Sequence, residues 1–282
     1  MIKIDEKNVP DVTFRNWLLK QDYATAGVLT EEILSEVTEM GVNGCDIYSL
    51  KGIEHFTALT KLNCGMNYLT SLDVSHCPAL KVLKCYFNDL AYLDLSHNPE
   101  LTELNCSDNP LVSFDVSHNP ALVKLNCSNI NSLSLDLLLN GEQISPMVLD
   151  LSHNPALRVL DCSTNILKSL DLSHNPALRV LDCSSNELSS LDLSHNPALM
   201  KLNCCWNIFT SLNLSHNPAL TILDCYDYNQ GCEAATDALI ASLPQTDEGI
   251  IYVGKGYSRE KIKVARAKGW VMQEGPQAVM SI

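Results

Sequence analysis

Leu178-Arg179-Val180-Leu181-Asp182-Cys183-Ser184-Ser185-Asn186-Glu187-Leu188-Ser189-Ser190-Leu191-Asp192-Leu193-Ser194-His195-Asn196-Pro197 is one copy of a phrase that recurs along most of the chain. In its first half, strand-like alternation sends Leu181 and Cys183 to one side and Val180, Asp182 and Ser184 to the other. The second half repeats the pattern through Leu188, Leu191 and Leu193. Each copy therefore predicts a coil of two nested strand-like segments, with β-structure on both sides of the stack.

The spacing of the copies decides the architecture. His76, His97 and His118 are 21 residues apart, as are His153, His174, His195 and His216, and the one irregular step is 35. Cys64, Cys85, Cys106 and Cys127, then Cys162, Cys183, Cys204 and Cys225, keep the same beat with the same 14-residue insertion. A fixed period near 20 marks a solenoid, in which each coil buries its apolar side only against its neighbours.

Two asparagine positions turn the corners. Asn67, Asn88, Asn109, Asn165, Asn186 and Asn207 mark the first, where an amide can satisfy backbone groups that a dry core would strand. At the second, Asn precedes Pro in Asn98-Pro99, Asn119-Pro120, Asn154-Pro155, Asn175-Pro176, Asn196-Pro197 and Asn217-Pro218, and proline ends the segment.

Read whole, Leu-x-x-Leu-x-Cys-x-x-Asn-x-Leu-x-x-Leu-Asp-Leu-x-x-Asn resembles the 21-residue, nested, Cys-containing class of bacterial leucine-rich repeats, the Bacteroides type found in surface and secreted proteins. Val9-Pro10-Asp11-Val12-Thr13-Phe14-Arg15-Asn16-Trp17-Leu18-Leu19 is similar to the N-terminal cap of that class, and Ala267-Lys268-Gly269-Trp270-Val271 to its C-terminal ending. The resemblance implies an α/β leucine-rich-repeat solenoid with a parallel β-sheet and an extracellular, non-enzymatic recognition scaffold. It implies no particular ligand.

The expected domains are a helical N-terminal cap over 1–55, an array of about eight coils over 56–227 with an insertion near 129–146, and a small α/β C-terminal cap over 228–282. Helices are expected over 11–20 and 30–40, with Asp11 and Thr30 as N-caps, and over 233–243 and 258–268, with a strand at 249–253. Asp22 to Thr30 echoes a calcium loop, but Ala24 and Ala26 stand where carboxylates belong. The insertion, with Leu137-Leu138-Leu139, is expected to bulge from the flank, its leucines packing back or meeting a partner.

Composition excludes several functions. With 19 basic and 33 acidic residues the net charge is −14, so no basic patch answers to nucleic acid or to an anionic lipid surface. No apolar run approaches the roughly 20 residues of a membrane span. The start, Met1-Ile2-Lys3-Ile4-Asp5, lacks the apolar stretch of a secretory signal. The expected location is extracellular or at the cell surface, with a leader replaced by a cloned start; the cytoplasm is the lesser reading.

Of the 12 cysteines, eight share one inward repeat position and read as buried free thiols serving as small apolar fillers. Cys45, Cys77, Cys205 and Cys232 fall outside that column, and no Cys-x-x-Cys suggests structural zinc. The histidine column reads as a surface stack, with adventitious zinc or nickel at His153, His174, His195 and His216 as the alternative. Up to seven added charges along this edge are expected to weaken the stack between pH 8 and pH 5. Asp73, Asp94, Asp115, Asp150, Asp171 and Asp192 form a second outward column, solvated or weakly binding divalent ions.

Ser-His-Asp recurs in every copy, whereas catalysis demands one oriented constellation; no enzyme and no cofactor is expected. Repeat proteins bind through residues that break the repeat. Those residues are Tyr86 and Phe87 towards one end and Trp206, Tyr226 and Tyr228 towards the other, aromatic anchors suited to a protein partner, or to a glycan. Packing against the caps is their structural reading.

Overall fold

The computed structural model describes residues 1–130, 148–226, 233–254 and 258–275. The insertion from 131 to 147, Tyr228 and Cys232 lie outside the described residues. The chain divides into two compact units, Met1–Leu122 with Asn129–Glu142, and Val123–Ser128 with Gln143–Ile282.

The first unit opens with a short antiparallel pair, β1 (Ile2–Lys3) and β2 (Val28–Leu29). Between them lies helix α1 (Val12–Leu19), which buries Phe14 and Leu18. Asp11 caps it and also ties it to the first coil. Its Oδ1 accepts from the N–H groups of Thr13 and Phe14, both at 2.8 Å, and its Oδ2 from those of Tyr48 and Ser49 at 2.8 and 3.1 Å. Thr30 caps helix α2 (Glu31–Glu36), which stops four residues short of the expected end at Met40. Glu39–Gly41 is instead strand β3, because Met40 joins the ladder opposite Leu62 and is buried there.

β3 begins a parallel ladder continued in this unit by β4 (Lys61–Asn63), β5 (Val82–Lys84) and β6 (Glu103–Asn105). The second unit repeats the arrangement with β7 (Lys124–Asn126), β8 (Val159–Asp161), β9 (Val180–Asp182), β10 (Lys201–Asn203) and β11 (Ile222–Asp224). Lys124 pairs with Val159, Val159 with Val180, and Lys201 with Ile222. The insertion is thus skipped without loss of register. This unit ends in helix α3 (Glu233–Ser242), β12 (Gly249–Val253), helix α4 (Arg259–Ala267) and β13 (Trp270–Glu274), with β12 and β13 extending the parallel sheet. The molecule is a parallel β-solenoid with few helices.

Inside each unit the repeated positions become columns. Leu62, Leu83, Leu104, Leu160, Leu181 and Leu202 are at most 1 % exposed, and burying each contributes roughly 2 kcal/mol. The eight column cysteines are equally buried, and all described cysteines are free. Their thiols donate along the stack: Cys162, Cys183 and Cys204 to the carbonyls of Asp182, Asn203 and Asp224, each at 3.5 Å. Burial pushes the Cys85 thiol up to about 12 and raises Cys64, Cys127, Cys162, Cys183, Cys204 and Cys225, so these thiols are unreactive at neutral pH.

The outer half of the coil forms no ladder among the described residues, against the expectation of β-structure on both sides. Its amides are taken locally. Ser194 N–H donates to Asp192 Oδ1 at 2.9 Å, Asn196 N–H to Leu193 O, and Leu199 N–H to Asn196 O. An Asx turn followed by two tight turns replaces the strand. Asn196 is fully buried at this corner and its Nδ2 donates to the carbonyls of Leu172 and Asn175, both at 3.0 Å. Cys77 occupies the same position one coil from the cap, where its thiol donates to Phe56 O.

Candidate functional site

The site is built at the first corner, Cys-x-x-Asn. Cys points inward, the first x outward, and the chain must then swing so that Asn points inward again one residue later than alternation allows. The second x takes up the swing by adopting a left-handed conformation. In the first unit Met66, Phe87, Asp108 and Asn129 have φ of 57°, 50°, 55° and 51°; in the second, Thr164, Ser185 and Trp206 have 54°, 54° and 53°. Asn and Asp tolerate this region, whereas a bulky side chain there is strained. Met66, Phe87 and Trp206 are bulky and remain 55–58 % exposed.

The first x is a serine in four of the eight coils, bonded to the strand's last side chain, as in Ser184 Oγ to Asp182 Oδ1 at 2.6 Å. Tyr86 breaks this column and lies half-buried against Gly65 of the preceding coil. A Cβ on Gly65 would stand 2.5 Å from Tyr86 Cε1, so the glycine makes room for the ring. Tyr86 and Phe87 meet edge to face with centroids 6.5 Å apart. In the second unit Trp206 and Tyr226 are 6.3 Å apart and tilted, Trp206 exposed and Tyr226 half-buried.

Two further aromatics of the first unit form a second pair, unforeseen from the sequence. Tyr48 and Tyr68 stack at 5.0 Å with 21° between their planes, 64 % and 46 % exposed. Tyr68 follows Asn67 where Asp89, Pro110, Ile166, Glu187 and Ile208 follow the other corner asparagines. That departure from the repeat was the available signal.

Asp182, read as outward-facing, proves to be covered, as does Asp224 in the same strand position. Asp182 and Asp224 are 8 % and 2 % exposed. Asp182 Oδ2 accepts from Asn203 Nδ2 at 2.9 Å, and Asp224 Oδ1 from the Cys205 thiol at 2.8 Å, so neighbouring coils replace solvent as the donor.

The outer columns are fully accessible. His153, His174, His195 and His216 are exposed, each Nδ1 lying 3.0–3.2 Å from the Oγ of the preceding serine. Among the described residues no group of three His, Cys, Asp or Glu side chains converges as a metal site. The Ser75 hydroxyl and N–H hold the Asp73 carboxyl below its usual range. Serine bonds likewise lower Asp94, Asp150, Asp171 and Asp192, helped by histidines of the same and the next coil. Because the folded carboxyl values lie below the unfolded value of about 3.9, their stabilisation is full above that pH and lost as pH falls through the folded values. The melting temperature is expected to drop below about pH 4, less steeply in an Asp171→Asn, Asp192→Asn variant.

No protein-family model matches the sequence, and no curated protein matches it. Solved structures do. The functional domain of InlJ from Listeria monocytogenes, which includes a cysteine ladder, is 32% identical over 78% of this chain and 56% of that chain, with a TM-score of 0.51. A leucine-rich-repeat protein of Leptospira interrogans is 19% identical over 69% of this chain and 51% of its own, TM-score 0.57. The leucine-rich-repeat ectodomain of the Arabidopsis thaliana receptor kinase GASSHO1/SCHENGEN3, solved with CASPARIAN STRIP INTEGRITY FACTOR 2, is 16% identical over 90% of this chain and 32% of its own, TM-score 0.60. The chain thus spans about half the length of the two bacterial proteins. Among the described residues, no helix is long and apolar enough to cross a membrane.

Proposed function

We propose that this leucine-rich-repeat solenoid is a non-enzymatic scaffold for recognising a protein partner outside the cell or at its surface. It belongs, on this reading, with the 21-residue, Cys-containing repeats of bacterial surface proteins, its array over 56–227 closed by caps over 1–55 and 228–282. The cysteine ladder named for the InlJ domain, at 32% identity, supports that placement.

One observation carries the functional reading. Phe87 and Trp206 stand exposed in a left-handed conformation that other coils fill with Asp108, Asn129, Thr164 or Ser185. Strain of order 1–3 kcal/mol at an exposed bulky side chain contributes nothing to folding and is retained where the side chain has another use. Tyr86 and Tyr226 support the two anchors from the neighbouring column. Aromatic side chains of this kind are preferred anchors in protein interfaces. The Arabidopsis ectodomain in complex with CASPARIAN STRIP INTEGRITY FACTOR 2 illustrates recognition on the same fold.

The test uses the full chain immobilised against solubilised surface proteins. Capture of a discrete protein is expected, lost when Trp206 and Tyr226, or Phe87, are replaced by alanine, with no fall in melting temperature. Undiminished capture by these variants removes the anchors from the reading. Capture that survives protease treatment of the extract but not glycosidase treatment favours a glycan instead.

A further inference from the structure

In the first unit the aromatic cluster has a definite charge setting. Along the left-handed column the order is Gly44, Met66, Phe87, Asp108, the first at φ 62° like its successors. Main-chain bonds tie these corners in succession: Met66 N–H to Tyr86 O at 2.8 Å, Phe87 N–H to Ser107 O at 3.0 Å, and Asn88 N–H to Asp108 O at 3.3 Å. Beside it runs a second column, in which Tyr68 lies between Asp46 one coil earlier and Asp89 one coil later, with Tyr48 stacked on Tyr68 from the coil before. Exposed apolar residues are thus bracketed by carboxylates at both ends of one column and at the end of the other. The lysines on the adjoining strands do not offset them, since Lys61 and Lys84 are engaged with Glu39 at 2.7 Å and Glu103 at 3.0 Å.

We propose that the patch of Tyr48, Met66, Tyr68 and Phe87, rimmed by Asp46, Asp89 and Asp108, docks an extended, basic polypeptide segment rich in arginine. This rests on the recognition reading above and narrows it to one partner chemistry and one unit. Guanidinium groups stack on exposed ring faces and pair with carboxylates, so one side chain satisfies both features of the patch. Successive coils present these groups about 4.8 Å apart, close enough for neighbouring side chains of an extended chain to engage consecutive coils. An acidic partner meets three carboxylates, on a chain whose net charge is −14.

Fluorescence anisotropy with the full chain tests this directly. The probes are a labelled 12-residue peptide of alternating Arg, Gly and Phe, its Glu-for-Arg analogue, and a neutral oligosaccharide. The Arg peptide is expected to bind at least tenfold more tightly than the Glu analogue and to weaken as salt rises from 50 to 300 mM. Phe87→Asn combined with Tyr68→Ser is expected to weaken it tenfold or more, with an unchanged or higher melting temperature. Asp89→Asn with Asp46→Asn should weaken it several-fold, and Trp206→Asn should have no effect. Equal affinity for the Glu peptide, oligosaccharide binding that displaces the Arg peptide, or indifference to the patch variants overturns the inference. If the peptide fails while surface-protein capture still depends on Phe87, the basic partner alone is refuted. If capture fails too, the recognition reading falls with it.

Discussion

Replacing Asn186 by alanine is expected to lower the stability of the second unit by about 3 kcal/mol. The amide is 8 % exposed and makes four bonds. Its Nδ2 donates to the carbonyls of Cys162 at 3.0 Å, Cys183 at 3.1 Å and Ser184 at 3.2 Å, and its Oδ1 accepts from Leu188's counterpart one coil earlier, Leu167 N–H, at 3.0 Å. Alanine strands the buried Leu167 amide, at a cost of about 1–3 kcal/mol, and takes one of two donors from each carbonyl, since Cys162 O keeps Asn165 Nδ2, Cys183 O keeps Asn207 Nδ2 and Ser184 O keeps Thr164 N–H. Because three of the bonds share one NH2 group, the loss falls short of their sum. Asn186→Asp separates the contributions: it keeps the acceptor for Leu167 but sets a carboxylate against three carbonyls, and should destabilise at least as much. His195→Ala, on the exposed outer column of the same coil, should stay within about 0.5 kcal/mol. Urea unfolding followed by far-UV circular dichroism measures all three. A loss below about 1 kcal/mol for Asn186→Ala means that the corner amides are not what joins the coils.

Much of this construction is readable in the sequence, because a solenoid repeats each local decision and periodicity averages out the ambiguity of a single copy. The inward leucines and cysteines and the two asparagine corners follow from alternation and period alone. Two features do not. The outer half of the coil has the same Leu-x-Leu alternation as the inner, yet Asp192 captures the amide that a ladder would need. That competition between side chain and neighbouring strand lies in geometry, not in hydrophobic pattern. Met40 likewise looks helical beside Leu34 and Val37 until Leu62, 22 positions later, offers it a parallel partner. At the candidate site, Tyr86, Phe87, Trp206 and Tyr226 are visible as breaks in the repeat. What sequence could not supply is that the position of Phe87 and Trp206 is left-handed, or that Tyr48 and Tyr68 stack across adjacent coils. The left-handed turn was nonetheless hinted at by Asp108, Asn129 and Ser185, residue types that tolerate positive φ, in the same column.

The second large effect is expected at the opposite end of the second unit, from Gly269→Ala. Gly269 has φ of +83°, and a Cβ built on it lies 1.6 Å from the Thr246 carbonyl oxygen and 2.7 Å from its carbon. Neither side can retreat freely. Thr246 N–H is bonded to Lys268 O at 3.0 Å and Gly249 N–H to Gly269 O at 3.0 Å, so relieving the clash breaks the bonds that hold β12 beside β13. Trp270, fully buried, would move with them and lose the bond from its indole N–H to Pro244 O at 2.8 Å. The expected loss exceeds about 3 kcal/mol, combining backbone strain with disrupted packing. Gly275→Ala isolates the first of these contributions, since Gly275 also has positive φ, at +106°, but nothing stands within 4 Å of its added Cβ. It should destabilise by only about 1 kcal/mol. With Trp17 and Trp206 changed to phenylalanine, Trp270 is the sole tryptophan, and its emission reports the site directly. Gly269→Ala should shift that emission to the red before global unfolding and Gly275→Ala should not. Equal losses from the two substitutions would show that conformational strain, and not collision with Thr246, decides how the end of the solenoid is closed.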